Sequence, residues 1–247
     1  ITGDVTINTG TDFTGVNSAT GFIQTEANGS VGNISITAGG TTNIGVAANN
    51  EFIGAATTVG NITLSTLAAA DSINLGEIEQ ATTIGNIDIS GSGSVNMDGA
   101  PAATSVGNIT VAVAAGETVD LDEQAPDNAN PTVATNGRWG AASGVIGNVT
   151  STGAGTFNFT TGPVTAIGNI DLGGMNASTS GSTVTLDNRT LVGTIFTGTT
   201  GIDTLISTGG ADVITPGLGA DDIDPGSGAD VVNLTETVAS IDTVHLL

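Results

Sequence analysis

Val31-Gly32-Asn33-Ile34 returns as Val59-Gly60-Asn61-Ile62, Ile84-Gly85-Asn86-Ile87, Val106-Gly107-Asn108-Ile109, Ile146-Gly147-Asn148-Val149 and Ile167-Gly168-Asn169-Ile170. Val192-Gly193-Thr194-Ile195 reads as a decayed seventh copy and Gly3-Asp4-Val5 as a decayed leader. Successive glycines lie 28, 25, 22, 40, 21 and 25 residues apart, so one repeat takes 21–28 residues and one repeat carries an insertion. A recurring period of this length marks stacked units, each burying its apolar face only against its neighbours.

Each Gly-Asn pair is followed by an alternating run such as Ile34-Ser35-Ile36, Ile62-Thr63-Leu64 or Ile87-Asp88-Ile89, the period of two expected of a strand. A second alternating run follows in Ile73-Asn74-Leu75, Val95-Asn96-Met97, Val119-Asp120-Leu121, Phe157-Asn158-Phe159 and Val184-Thr185-Leu186. Each repeat therefore holds at least two strands, and the economical fold is all-β, a parallel β-solenoid over residues 1–197. At its corners glycine is expected to take a positive φ, and Asn33, Asn61, Asn86, Asn108, Asn148 and Asn169 to form a ladder of stacked amides. The competing reading of that row is a set of ligand-binding amides.

The composition agrees. The chain has 247 residues, six phenylalanines, one tryptophan and no tyrosine or cysteine, so neither bulky aromatics nor disulfides hold it together. Valine, isoleucine and leucine recur at regular places, which excludes a disordered Gly-rich chain. Twenty-four acidic residues face only Arg138 and Arg189, for a formal charge of −22. Such a polyanion is repelled by nucleic acid and by anionic membranes and attracts divalent cations. No stretch reaches the ~18 consecutive apolar residues of a membrane span, so no membrane insertion is expected. The chain starts at Ile1 without methionine, and is expected to be a processed product or an excised piece.

The 40-residue step contains Glu117, Asp120, Asp122, Glu123, Pro126, Asp127, Pro131, Arg138 and Trp139. Prolines and consecutive charges predict a loop leaving the solenoid over about 117–140. Asp120, Asp122, Glu123 and Asp127 are candidate calcium ligands there, against the alternative of a solvated acidic loop. Trp139 is expected to cap the core or to anchor a neighbour.

From Gly198 the register changes to nine: Gly198–Ile206, Ser207–Thr215, Pro216–Asp224 and Pro225–Asn233. Glycine holds the fourth position (Gly201, Gly210, Gly219, Gly228), aspartate the sixth (Asp203, Asp212, Asp221, Asp230) and an aliphatic residue the eighth (Leu205, Ile214, Ile223, Val232). Calcium takes six to eight hard oxygens at about 2.3–2.6 Å, which a glycine-rich turn with exposed carbonyls and one carboxylate per turn can supply. The array resembles the RTX, or haemolysin-type, calcium-binding repeat G-G-x-G-x-D-x-U-x. It departs from that consensus at the first two positions, where Ser207, Pro216, Pro225, Thr199 and Thr208 stand.

The resemblance implies a C-terminal β-roll over 198–247 with two nonapeptides per coil. Asp203 and Asp221 then share one edge and Asp212 and Asp230 the other, with Asp222 and Asp224 as further metal candidates and Ile241-Asp242-Thr243-Val244 as the strand after the last turn. Taken whole, the chain is similar to S-layer and adhesin-like proteins exported by type I secretion. That likeness implies a secreted, extracellular or cell-surface structural protein whose partners are calcium ions and copies of itself, with cell-surface polysaccharide as a further candidate. An adhesin or glycan-binding module and a β-helix polysaccharide-modifying enzyme stand as alternatives. The enzyme is disfavoured because lysine and tyrosine are absent and His245 is the sole histidine. Asp88 with Asp98, or Asp120 with Asp122, are nominal carboxylate pairs for hydrolysis.

Overall fold

A computed structural model describes residues 3–15, 22–23, 29–45, 51–54, 56–121, 138–141, 143–153, 155–175, 182–186, 193–234 and 241–246. They form a parallel β-solenoid of about seven turns, with no helix among them. Two sheets of ten parallel strands run its full length. The front sheet starts at Val5–Thr9 and Ile34–Ala38 and finishes at Val213–Thr215 and Val231–Val232, taking the strand after every Gly-Asn pair on the way. The back sheet starts at Phe13–Gly15 and finishes at Asp222–Asp224 and Thr243–Val244, and it holds the second alternating run of each repeat.

Two more faces close the coils between residues 22 and 167. A six-stranded side sheet is built from the short segments that precede each Gly-Asn pair, such as Ala56–Val59, Thr83–Ile84 and Ser105–Val106. A fourth row pairs Glu77–Ile78 with Glu51–Ile53 and continues through bridges from Ala100 to Trp139 and from Trp139 to Thr161. From Ile195 onward the coil has only the front and back faces, yet both sheets cross residues 197–198 without a break.

Side chains alternate in and out, as the period of two requires. Val5, Ile34, Ile62, Ile87, Ile109, Val149, Ile170, Phe196, Ile214 and Val232 are register partners in the front sheet, one inward column from the first strand to the last. Each fully buried member removes enough apolar surface to contribute about 1.5–3 kcal/mol.

The corner glycines work by closeness. Gly32, Gly60, Gly85, Gly107, Gly147 and Gly168 are absent from the glycines with positive φ, which corrects the expectation of a left-handed bend. A Cβ on Gly85 would stand 2.5 Å from Asn61 Oδ1, and one on Gly107 2.5 Å from Asn86 Oδ1. The corner of each coil thus lies on the side-chain carbonyl of the coil before it. The asparagine row is a ladder, but not of amide on amide. From Asn33 to Asn148 each Oδ1 accepts the backbone N–H of the next corner, as in Asn86 N–H to Asn61 (2.9 Å) and Asn108 N–H to Asn86 (3.0 Å). Asp4 fills the role of the leader, accepting from Asn33 N–H at 2.8 Å. An amide ladder exists elsewhere, on the outer face of the back sheet, where Asn74 Nδ2 donates to Asn43 (2.6 Å) and Asn96 Nδ2 to Asn74 (2.8 Å).

Asp120 belongs to the back-sheet strand Thr118–Asp120 and accepts from Asn158 Nδ2 at 3.1 Å, so it is held in the stack. Asp122, Glu123 and Asp127 lie outside the described residues. Trp139 is fully buried in the fourth row and its Nε1 donates to the Leu121 carbonyl at 2.6 Å, so it fills the core where the chain rejoins the stack.

Substituting Asn86 by leucine is expected to lower stability by about 1 kcal/mol, since the lost bond is solvent-exposed, and to lower the melting midpoint by roughly 2–4 °C. Gly85→Ala should cost more, about 1–3 kcal/mol, because the methyl overpacks two corners. Scanning calorimetry of the two variants that gave the opposite order would contradict this account of the corner.

Glu77 is half-buried, and burial, with the neighbouring Glu79 charge, pushes its carboxyl up from 4.5 to about 7. The folded state therefore holds a proton that the unfolded chain has released between those values, and stability falls as pH rises through the window from 4.5 to 7. Glu77→Gln should remove that part of the pH dependence and raise stability at pH ~8 by roughly 1 kcal/mol, a figure discounted for the water that still reaches the group. Denaturant titrations of both proteins from acid to alkaline pH check it.

Candidate metal centre

The nonapeptides place a turn alternately on two edges of the flattened C-terminal coils. Strands Thr204–Ile206 and Asp222–Asp224 pair in register, Leu205 on Ile223, and Val213–Thr215 pairs with Val231–Val232, Ile214 on Val232. The coil repeat is thus 18 residues, two nonapeptides, as the resemblance implies. Leu205, Ile214 and Ile223 are each the middle residue of a three-residue strand, fully buried. The hexapeptides between strands form the turns, with 198–203 under 216–221 on one edge and 207–212 under 225–230 on the other.

The sixth-position aspartates meet as expected. Asp221 Oδ1 accepts the Asp203 N–H at 2.9 Å, and Asp230 Oδ1 accepts the Asp212 N–H at 3.0 Å. A fifth aspartate, Asp242, joins the first edge, its Oδ1 accepting the Asp221 N–H at 3.1 Å. Asp242 also keeps a buried Oδ2 that receives no hydrogen bond among the described residues. The tripeptide Asp242-Thr243-Val244 repeats the aspartate-x-aliphatic spacing of the nonapeptides, the signal that marks it in the sequence.

The glycines here do need positive φ: 109° at Gly217, 146° at Gly219, 79° at Gly226 and 146° at Gly228. A Cβ on Gly219 would collide with the Gly201 carbonyl and stand 2.8 Å from Asp221 Oδ1. One on Gly228 would collide with the Gly210 carbonyl and stand 3.0 Å from Asp230 Oδ1, and those on Gly217 and Gly226 would strike the Thr199 and Thr208 carbonyls. On each edge, therefore, two backbone carbonyls and a carboxylate oxygen stand close against the glycines of the upper turn, hard oxygens of the kind calcium takes. Among the described residues no three Asp, Glu or His side chains converge on one point, so the oxygens that gather are mostly those of the backbone.

Asp222 and Asp224 sit elsewhere. They flank Ile223 on a back-sheet strand and face outward, Asp222 Oδ1 lying 2.6 Å from His245 Nε2 and Asp224 Oδ1 accepting the Gly226 N–H at 3.0 Å. Asp203 and Asp212 are wholly buried. Burial pushes the Asp203 carboxyl above its ordinary range, against the lowering effect of hydrogen bonds from Thr199 and Ser182.

Gly219→Ala and Gly228→Ala should each weaken calcium binding at least tenfold, since a side chain crowds these oxygens and strains a positive φ. Isothermal titration with calcium checks this. Wild-type affinity in both variants would show that ions do not enter these turns.

The comparisons with known proteins agree with this geometry. The RTX calcium-binding nonapeptide repeat matches residues 197–232 in four copies. No curated protein and no solved structure matches the chain. RTX nonapeptide repeats bind calcium ions, and the C-terminal part of this chain belongs to that repeat family.

Proposed function

We propose that the protein is an extracellular structural protein that binds calcium through its nonapeptides and assembles with copies of itself into a surface layer or filament. The observation that carries this reading is the run of four calcium-binding nonapeptides on an all-β stack whose chain has 24 acidic and two basic residues. Among the described residues, Val5–Thr9 and Phe13–Gly15 have one strand neighbour each, as do Val231–Val232 and Thr243–Val244 at the other end. A strand edge of this kind can pair with a further strand, of this chain or of another. At the C-terminal end a groove of about 410 Å³ opens over the last turn, lined by Pro225, Gly226, Ser227, Gly228, Asp230, Val232 and Leu246. Leu246 is 84% exposed there, and Ile241, five residues earlier in the chain, is 83% exposed.

In this reading Asp221 and Asp230, with the carbonyls of Thr199, Gly201, Thr208 and Gly210, hold calcium, which neutralises carboxylates that otherwise repel. Extracellular modules bind calcium at about 10⁻⁴–10⁻³ M, so the array is filled outside the cell and empty in the cytosol, which suits export. With 24 acidic and two basic residues, ordinary salt bridges cannot join neighbours, and divalent ions between acidic surfaces must do so. The reading includes no catalysis. It is supported by His245, which is exposed and paired with Asp222, and by Asp88 and Asp98, the first on the outer face of the front sheet and the second just past a back-sheet strand. Among the described residues no helix is long and apolar enough to cross a membrane.

Light scattering and negative-stain imaging test the assembly. Millimolar calcium should convert monomers to extended particles, chelator should reverse this, and magnesium, which demands a tighter octahedral shell, should replace calcium poorly. A protein that stays monomeric at high concentration in calcium, and binds a glycan, would be an adhesin instead.

A further inference from the structure

The second position of the nonapeptide is threonine in the first two copies, Thr199 and Thr208, and glycine in the last two, Gly217 and Gly226. The two threonines close on the aspartates four residues ahead of them. Asp203 Oδ2 accepts the Thr199 N–H at 2.6 Å, Oδ1 accepts the Ser182 N–H at 2.6 Å and its hydroxyl at 2.8 Å, and the Thr199 hydroxyl lies 3.0 Å from both oxygens. Asp212 repeats the pattern. Its Oδ1 accepts the Thr194 N–H at 2.6 Å, Oδ2 accepts the Ser207 hydroxyl at 2.8 Å and the Thr208 N–H at 3.1 Å, and the Thr208 hydroxyl lies 2.9 Å from both.

A carboxylate offers about four lone-pair sites, and each of these two buried groups receives four donors. The threonine hydroxyls are themselves fixed, accepting the N–H of Gly201 at 2.9 Å and of Gly210 at 3.1 Å. A cation arriving at Asp203 or Asp212 would meet N–H and O–H hydrogens where it needs lone pairs. These two residues do not fit the calcium role that their place in the repeat assigns.

We propose that Thr199 and Thr208 stand in for the cation, so that the first coil of the array is a metal-free coupling between the solenoid and a calcium-binding last coil. Ser182 and Thr194, the donors from below, belong to the last solenoid coil, so Asp203 and Asp212 bolt the array to the solenoid whether or not calcium is present. At the next level the second position brings no hydroxyl, and carbonyl oxygens stand close against Gly217, Gly219, Gly226 and Gly228.

This division rests on the calcium reading of the array, and the test separates the two. Calcium bound per full-length chain is counted after equilibrium dialysis in millimolar calcium. Asp203→Asn with Asp212→Asn should keep the wild-type number of ions and an affinity within twofold, while lowering the melting midpoint in chelator. Asp221→Asn with Asp230→Asn should lose bound calcium. Thr199→Gly with Thr208→Gly, which keeps every carboxylate and so decides the matter if the first variant fails to fold, should bind at least one ion more than the wild type. Thr199→Ser with Thr208→Ser should behave as wild type. Calcium lost from the Asp203/Asp212 variant as from the Asp221/Asp230 variant, or no gain in the glycine variant, overturns the division. A wild type that binds no calcium overturns the calcium reading itself, and the division with it.

Discussion

Everything in this fold depends on one coil lying directly on the next. A parallel strand has its hydrogen-bond partners a whole coil away in sequence, and its inward side chain finds apolar contact only in the coils above and below. That constraint explains the composition. Coils stacked at strand spacing leave room for valine, isoleucine and leucine inside and for threonine, serine and asparagine outside, while bulky rings would hold neighbours apart. The chain accordingly uses aromatics sparingly and buries Phe157, Phe159, Phe196 and Trp139. At the corners the constraint is tightest, and a glycine leaves the space that the preceding Asn Oδ1 occupies.

The side-chain ladders on the corners reverse direction partway along. In the solenoid, a later corner donates its backbone N–H to the side chain of the earlier coil, as Asn169 does to Asn148. In the array, an earlier turn donates to the aspartate of the later coil, as Asp203 does to Asp221. Thr194 is where the two senses meet, its N–H turned forward to Asp212 and its hydroxyl turned back to the Gly168 carbonyl at 2.7 Å. The chain also drops from four faces to two near this point, yet the inward column continues from Ile170 through Phe196 to Ile214. Carboxylates therefore gather at the C-terminal end of a stack whose lower coils are held by neutral amides, and charge repulsion is concentrated where calcium can relieve it.

Much of this was legible in the sequence. The Gly-Asn spacing, the two alternating runs and the nine-residue register gave the stacking, the front and back sheets and the pairing of Asp203 with Asp221 and Asp212 with Asp230. What was not legible has physical causes. Side-sheet strands such as Thr83–Ile84 are two residues long and show no alternation. The corner glycines were read for backbone freedom because the sequence does not show how near the previous coil lies. The amides that do stack side chain to side chain, Asn43, Asn74 and Asn96, sit within the alternating runs, where the pattern says only that they face outward. Asp242 was read only as part of the strand after the last turn, because eight residues separate it from the last nonapeptide. The donors that saturate Asp203 come partly from Ser182, outside the array, so its difference from Asp221 is a property of the fold.

The central claim is a single continuous stack whose last coil alone depends on calcium. Amide hydrogen exchange of the full chain, in chelator and in millimolar calcium, tests it most directly. Protection at 34–38, 62–66, 87–91, 109–113 and 183–185 should be equal in both conditions. Protection at 222–224, 231–232 and 243–244 should be lost in chelator and restored by calcium. Equal protection of the whole chain in both conditions, or loss of protection along its full length in chelator, would contradict the account.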